Sequence, residues 1–404
     1  MRVEIAFATG ANPYAWVLGI SRLGVETRIG PASVDVWTDV SADVRDIVVR
    51  RGRSRELEAF QPGSCSITLR NEARAYDPLN LAGPHVSGGA TQVKPGRRIR
   101  IIATHPVTLV EYPMFYGTIR EWGIDYQDTI GSVSVQATDL MGDLANTQVA
   151  VTLPAGTPGA AFDALMAAAG IARYRALEGA SALQSTAFEG DALTAAQLIA
   201  DSEQGAVYVD ASGVLRLDGR HTILVEERSR DSQATFGTGD LDITAPVLDY
   251  ASDNIRNDVS FTRAGGTAQV ATDAASQHAY GKRSYAKTGL ATALDAEVES
   301  LARHVRNSFA EPVVRVRGLT LASHVNAARL TQALGRELRD RVTVRIAPAL
   351  GGTVIQQQVF VSGIQHTIVP GERMQTVYQF ESTAGAYGWV LGVSQLGVDT
   401  QITA

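Results

Sequence analysis

Cysteine is all but missing: Cys65 is the single one in 404 residues. An intrachain disulfide and a cysteine-built metal cluster are therefore excluded. Cys65 lies in Ser64-Cys65-Ser66-Ile67-Thr68-Leu69, in phase with Ile67 and Leu69, and reads as a small buried apolar residue instead of a reactive thiol. No apolar run approaches the ~20 residues needed to cross a bilayer. The opening Met1-Arg2-Val3-Glu4-Ile5-Ala6-Phe7 alternates like a strand and lacks the charged-then-apolar layout of a secretion signal, which points to a protein made or assembled in a cytosol. A basic excess is missing too. The formal charge is −6 and aromatics are only 6%, the opposite of what a dedicated nucleic-acid binder carries.

Motifs of chemistry are equally sparse. The seven histidines (His85, His105, His221, His278, His304, His324, His366) include no two at ligand spacing on one helix or strand. There is no Gly-x-Ser-x-Gly elbow, no phosphate-cradling loop and no calcium loop. Gly265-Gly266 reads as a hairpin turn. Acidic residues such as Asp273 and Asp295 stand singly at caps and turns, where the helix dipole accounts for them. No catalytic residue, metal ligand or cofactor is assigned, and a structural, non-enzymatic subunit that packs with other chains is expected.

What is present is a globular composition, 45% hydrophobic and 19% charged, in a chain long enough for two to four domains. Alternation dominates the first third, with Val133, Val135 and Ala137 facing one way and similar runs at Asp46 to Arg51, Arg97 to Ala103 and Met114 to Tyr126. A long loop runs from Tyr76-Asp77-Pro78 to Ser87-Gly88-Gly89. Thr157-Pro158 then opens a helix that Gly170 stops, and Thr194-x-x-Gln197 has capping-box spacing for a second. Asp210-Ala211-Ser212-Gly213 turns a hairpin. Further on, Leu294, Val298, Leu301, Val305 and Phe309 form an apolar helical stripe, one of two helical interruptions among the last strands. The strand phase flips at Gly318, as a β-bulge would make it. The fold class is mainly β with an α+β insert. Residues 1–32 form an N-terminal arm, 33–150 a first β-barrel-like domain and 151–243 an α+β module. Residues 244–382 form a second barrel with a crossing helix, and 383–404 a C-terminal element.

One internal repeat stands out. Tyr14 to Thr27 matches Tyr387 to Thr400, four of fourteen positions differing by mild swaps. Each copy reads as strand, turn, strand, either a hairpin closing a barrel or an arm pairing with a neighbouring subunit. Trp16, Leu18, Leu23, Trp389, Leu391 and Leu396 are its candidate contact residues. Two arginine clusters, Arg50 to Arg55 and Arg97 to Arg100, are solvated faces or contacts with an acidic partner rim. Arg51, Arg53 and Arg98 are the interface candidates among them.

Several stretches together carry a resemblance. Val44-Arg45-Asp46-Ile47, Arg51-Gly52-Arg53-Ser54, Phe60-Gln61-Pro62-Gly63 and Ser66-Ile67-Thr68-Leu69-Arg70-Asn71, running to Tyr76-Asp77-Pro78, resemble the opening domain of tail hub or minor tail proteins of long-tailed bacteriophages. Phe115-Tyr116-Gly117-Thr118-Ile119 resembles a strand midway through that domain. Asn257-Asp258-Val259-Ser260-Phe261-Thr262-Arg263, Asp273-Ala274-Ala275-Ser276 and Tyr280-Gly281-Lys282-Arg283-Ser284 resemble the start of the later barrel. The resemblance implies a tail-hub-like fold, related to the baseplate hubs of contractile phages, in a homotrimeric ring of pseudo-six-fold symmetry at the virion tail tip. Its implied partners are copies of itself, the distal tail or tail tube ring, the tape measure protein and other tip or fibre proteins. DNA would be met only in transit, and no membrane insertion by this chain is implied. A hexameric distal tail ring subunit and a carbohydrate-binding or wall-degrading tail protein are the alternatives. The sequence ends at Ala404 with no attached peptidase, lysozyme or fibre-binding domain, which speaks against the last. With a neutral or acidic channel, both arginine clusters are expected to face subunit contacts or solvent, not the lumen.

Overall fold

The computed structural model describes residues 1–7, 35–126 and 131–383. The chain opens with β1 (Arg2–Ile5), β2 (Thr38–Asp39), β3 (Val44–Gly52) and β4 (Gln61–Arg70). A small hairpin, β5 (Val86–Ser87) and β6 (Ala90–Thr91), precedes the meander β7 (Arg98–Thr104), β8 (Glu111–Ile124) and β9 (Ser132–Thr138). The alternation predicts the inward faces: Val133, Val135 and Ala137 are buried, as are Cys65, Ile67 and Leu69 on β4. The long loop between β4 and β7 is held by four rings: Phe7 stacks on His85 at 3.8 Å, and Tyr76 packs against both His85 and Trp122.

A helical part follows: α1 (Leu140–Leu144), β10 (Gln148–Leu153), α2 (Pro158–Ala169), β11 (Tyr174–Ala176), β12 (Thr186–Asp191), α3 (Ala192–Glu203), β13 (Ala206–Val209) and β14 (Leu215–Asp218), then the short α4 (Thr222–Val225) and α5 (Glu227–Arg230). Helix α2 begins and ends where the sequence places it. Thr157 accepts from the Ala160 amide, Pro158 takes the first turn, and Gly170 closes the helix in the left-handed region. Helix α3 starts earlier than the capping-box reading. Its cap is Asp191, which accepts from both the amide and the hydroxyl of Thr194, so Thr194 lies inside the first turn.

The last part comprises β15 (Thr235–Gly237), β16 (Thr244–Asp249), β17 (Asp258–Arg263), β18 (Gln269–Thr272), α6 (Ala274–Tyr280), β19 (Ser284–Leu290), α7 (Asp295–Phe309), β20 (Arg315–Ala322), α8 (Ala327–Gly335), β21 (Arg341–Ile346), β22 (Ile355–Val369) and β23 (Arg373–Ser382). It has three helices where the sequence suggests two. Gly265-Gly266 does turn a hairpin between β17 and β18, and the register of β16 on β20 slips at Gly318 as the phase flip predicts. The placement of α7 is corrected. It does not cross the large sheet: its buried Val298, Leu301, Ala302 and Val305 pack with Val259, Phe261, Ala271 and Leu290 of the sheet β18-β17-β19 to make a separate small core. The stripe shows that a helix buries one face; it carries no information on which sheet receives it.

Strands from before and after the helical part join in one 13-stranded sheet, whose main path runs β16-β20-β23-β22-β3-β4-β9-β8-β7-β1-β2. The seam between the two strand sets is β22 against β3, six antiparallel pairs from Gly363↔Gly52 to Ile368↔Ile47. Gly52 has φ +102°, and a Cβ there would meet the Ser362 carbonyl oxygen and, at 2.7 Å, the Gly363 Cα. Both obstacles are backbone. Gly52→Ala is therefore expected to lose about 2 kcal/mol or more in urea denaturation. Gly88→Ala, at φ +58° in open space, should lose only about 1 kcal/mol.

Candidate functional site

Trp16, Leu18, Leu23, Trp389, Leu391 and Leu396, with the repeat that contains them, lie outside the described residues. The three arginine candidates lie within, and each is engaged inside its own chain. Arg51 is buried within its own chain: it is 4% exposed, and its Nη1 donates to Glu337 Oε1 at 2.6 Å. Glu337 also accepts from the Leu338 and Ala211 amides. This overturns the expectation that the whole Arg50 to Arg55 cluster is surface. On β3, Arg51 shares the phase of buried Ile47 and Val49, which is the sequence signal that marks it. Arg53 grips Glu381 through Nε and Nη2, donates to the Glu58 carbonyl, and lies 4.6 Å over the Phe60 ring. Arg98 donates to Thr118 Oγ1 at 2.6 Å and Asp143 Oδ2 at 3.1 Å. Arg50 and Arg55 are exposed.

A cleft of about 510 Å³ opens between the β3–β4 loop, the C-terminal end of α3 and α7. Four of its acids are held in ion pairs. Glu56 binds Arg315, Glu381 binds Arg53, Asp201 binds Lys287, and Glu297 lies 3.4 Å from Arg220. These pairs tie the elements that wall the cleft to one another. Among the described residues no group of three or more His, Cys, Asp or Glu side chains is arranged to hold a metal, and no helix is long and apolar enough to cross a membrane.

Two exposed apolar faces went unnoticed in the sequence. The first is the β16 edge of the large sheet, where Val247, Leu248 and Tyr250 are exposed. The register that pairs Asp249 with Arg315 sets Val313 and Val314, also exposed, beside them. Pro246 and two register shifts interrupt this edge, so it offers side chains more than a free backbone ladder. The second is the β7–β8 hairpin tip, with Val107, Leu109 and Val110 exposed. Beneath it the buried His105 accepts from the Val107 and Thr108 amides through Nδ1 and meets Thr331 and Ala327 of α8 through Nε2.

This architecture is a mainly β, tail-hub-like fold, shared with phage tail proteins. The tail protein from Neisseria meningitidis MC58 superposes with a TM-score of 0.57 at 16% identity, covering 86% of this chain and 94% of its own. The 43 kDa tail protein of prophage MuSo2 from Shewanella oneidensis gives 0.58 at 12% identity, covering 87% and 97%. An Escherichia coli component of the type VI secretion system, described as structurally similar to the T4 bacteriophage tail proteins gp27 and gp5, gives 0.50 at 11%, covering 86% and 75%. No family model and no curated protein matches the chain by sequence.

Proposed function

We propose that this chain is a structural hub subunit of a phage tail tip, without enzymatic activity, which assembles as a homotrimeric ring and joins the tail tube or distal tail ring to tip proteins. The observation that carries this reading is the likeness to two tail proteins along nearly their whole length, 94% and 97%. The single sheet supports it. Its main path ends at β16 on one side and β2 on the other, and exposed apolar side chains line the β16 end. Edges of that kind are covered when copies close into a ring by a head-to-tail contact. The domain limits drawn from the sequence, the repeat elements as contacts with neighbouring copies, and passage of the tape measure protein and DNA through the ring belong to the same proposal.

Native mass spectrometry of the full chain tests it. Three chains of 43.0 kDa should give a species of about 129 kDa, and a double Val247→Asp, Leu248→Asp variant should shift it toward monomer. A stable hexamer of about 258 kDa would support the distal-ring alternative instead. A monomer at every concentration would overturn the reading, and a variant that still forms trimers would remove the β16 edge from the ring contact.

A further inference from the structure

The last strand of the described chain runs out at the rim of the cleft beside α7. Ser382, where β23 ends, lines the cleft together with Glu381. The Ser382 amide donates to Glu56, and the Thr383 hydroxyl donates to the Gln358 carbonyl at 3.1 Å. Trp389 follows Ser382 by seven residues, with the small Ala384-Gly385-Ala386 on the way. That gives it a reach of up to about 23 Å.

The cleft wall is partly apolar, and its bases are matched. Leu57, Tyr285 and Phe309 pack on the small core from outside and stay only half-buried, as do Ile223 and Leu224 nearby on the same wall. Leu57 is held at φ +65°, a left-handed backbone that a residue with a Cβ seldom adopts. Arg53, Arg220, Lys287 and Arg339 each face an acid, which leaves little to draw an ionic ligand. The volume of about 510 Å³ lies within the roughly 300–1,000 Å³ of pockets that bury a ligand. An uncharged, aromatic-bearing segment fits such a space.

The two copies of the repeat differ in this respect. Residues 384–398 contain no Asp, Glu, Lys or Arg, whereas the N-terminal copy has Arg22 where the C-terminal one has Gln395. The N-terminal copy also falls between β1 and β2 in the chain, and those strands end the main path of the sheet opposite β16. Left uncovered, Trp389, Leu391 and Leu396 would make an apolar patch.

We propose that the cleft seats the chain's own C-terminal repeat element, with Trp389 and Leu391 against Leu57, Tyr285 and Phe309. The seat does not depend on the tail-tip reading. Within that reading it leaves Tyr14 to Thr27, the copy with Arg22, as the contact between copies.

Photo-cross-linking of the full chain with Trp389→p-benzoylphenylalanine tests the seat. On a denaturing gel the cross-link is expected inside single chains of 43.0 kDa, and mass spectrometry should place it on residues 57–60 or 301–309. Ser300→Trp, at an exposed position on the cleft wall, should cut the yield by about fivefold or more. Arg303→Trp, exposed on the same helix but outside the cleft lining, should leave it unchanged. Cleft cross-links confined to a band of about 86 kDa, twice the chain, would give the seat to a second copy and overturn the proposal. Cross-links outside the cleft, or a yield that Ser300→Trp leaves unaltered, would overturn it too. Should the Trp389 variant not fold, Leu391→p-benzoylphenylalanine replaces it with the same expected results. Native mass of the same protein reads the ring separately, so a lost seat and a lost trimer are told apart.

Discussion

Exchanging Arg51 for methionine is expected to cost the fold about 3 kcal/mol, measured as the fall in unfolding free energy in urea at pH 7. Methionine keeps most of the arginine's packing but removes the charge that Glu337 faces. Despite its burial, Glu337 is held below the usual carboxylate range by the Arg51 guanidinium and by hydrogen bonds from Arg51 and the Leu338 and Ala211 amides. Without Arg51 it becomes a carboxylate with no cation beside it, and removing one member of a buried pair costs about 3–5 kcal/mol. The lower figure applies because the Glu337 side chain keeps 18% exposure. The double variant Arg51→Met, Glu337→Gln removes both charges and should recover more than half of the loss. A single variant that loses under about 1 kcal/mol, or a double variant no better than the single, would show that the pair contributes little to stability.

Two titrations on either side of Arg51 should almost cancel in wild-type protein and be unmasked by substitution. Burial, with Arg51 as a like charge, pushes His366 down to about 3. Its folded pKa lies below its unfolded value, so the unfolded chain binds the extra proton. Stability from this group is complete above about pH 6.5 and drains away as pH falls toward 3. Burial pushes Asp139 the other way, up to about 7, against amide hydrogen bonds from Gly63 and Met141 and the pull of Arg51. Here the native state binds the proton first, so stability is lost as pH rises from about 4 to 7. Each contribution has a slope of up to about 1.4 kcal/mol per pH unit between pH 4 and 6.5, with opposite sign. His366→Gln should make stability fall with rising pH across that window relative to wild type, and Asp139→Asn should make it rise. Urea midpoints at half-unit pH steps measure both. Variant and wild-type slopes that coincide would show that neither group titrates as its surroundings imply.

What the sequence discloses here is local. Period-two burial at Val133 to Ala137, the Thr157 cap with Gly170, and the bulge at Gly318 rest on interactions within a few residues, and each is legible. The α3 start is displaced because Asp191 and Thr194 both carry cap-competent oxygens. The choice depends on where β12 ends, which is fixed by its pairing with β10. Long-range pairings leave no mark at all. The parallel partners β11–β14 and β17–β19, and the seam of β3 with β22 some 300 residues later, follow from the assembled core. Arg51 sits in phase with Ile47 and Val49, yet a charged residue in a core phase does not name its counter-ion. Glu337 comes from the loop after α8.

The antiparallel seam also has a mechanical meaning. Hydrogen bonds between β3 and β22 run across the strands, so a load applied along the strands bears on the seam in shear. All six rungs from Gly52↔Gly363 to Ile47↔Ile368 then have to give way together instead of unzipping in turn. With the ladder continuous on both sides of it, the two strand sets have no hinge along this line. A pull or twist delivered to one is passed to the other as strain in a single plate.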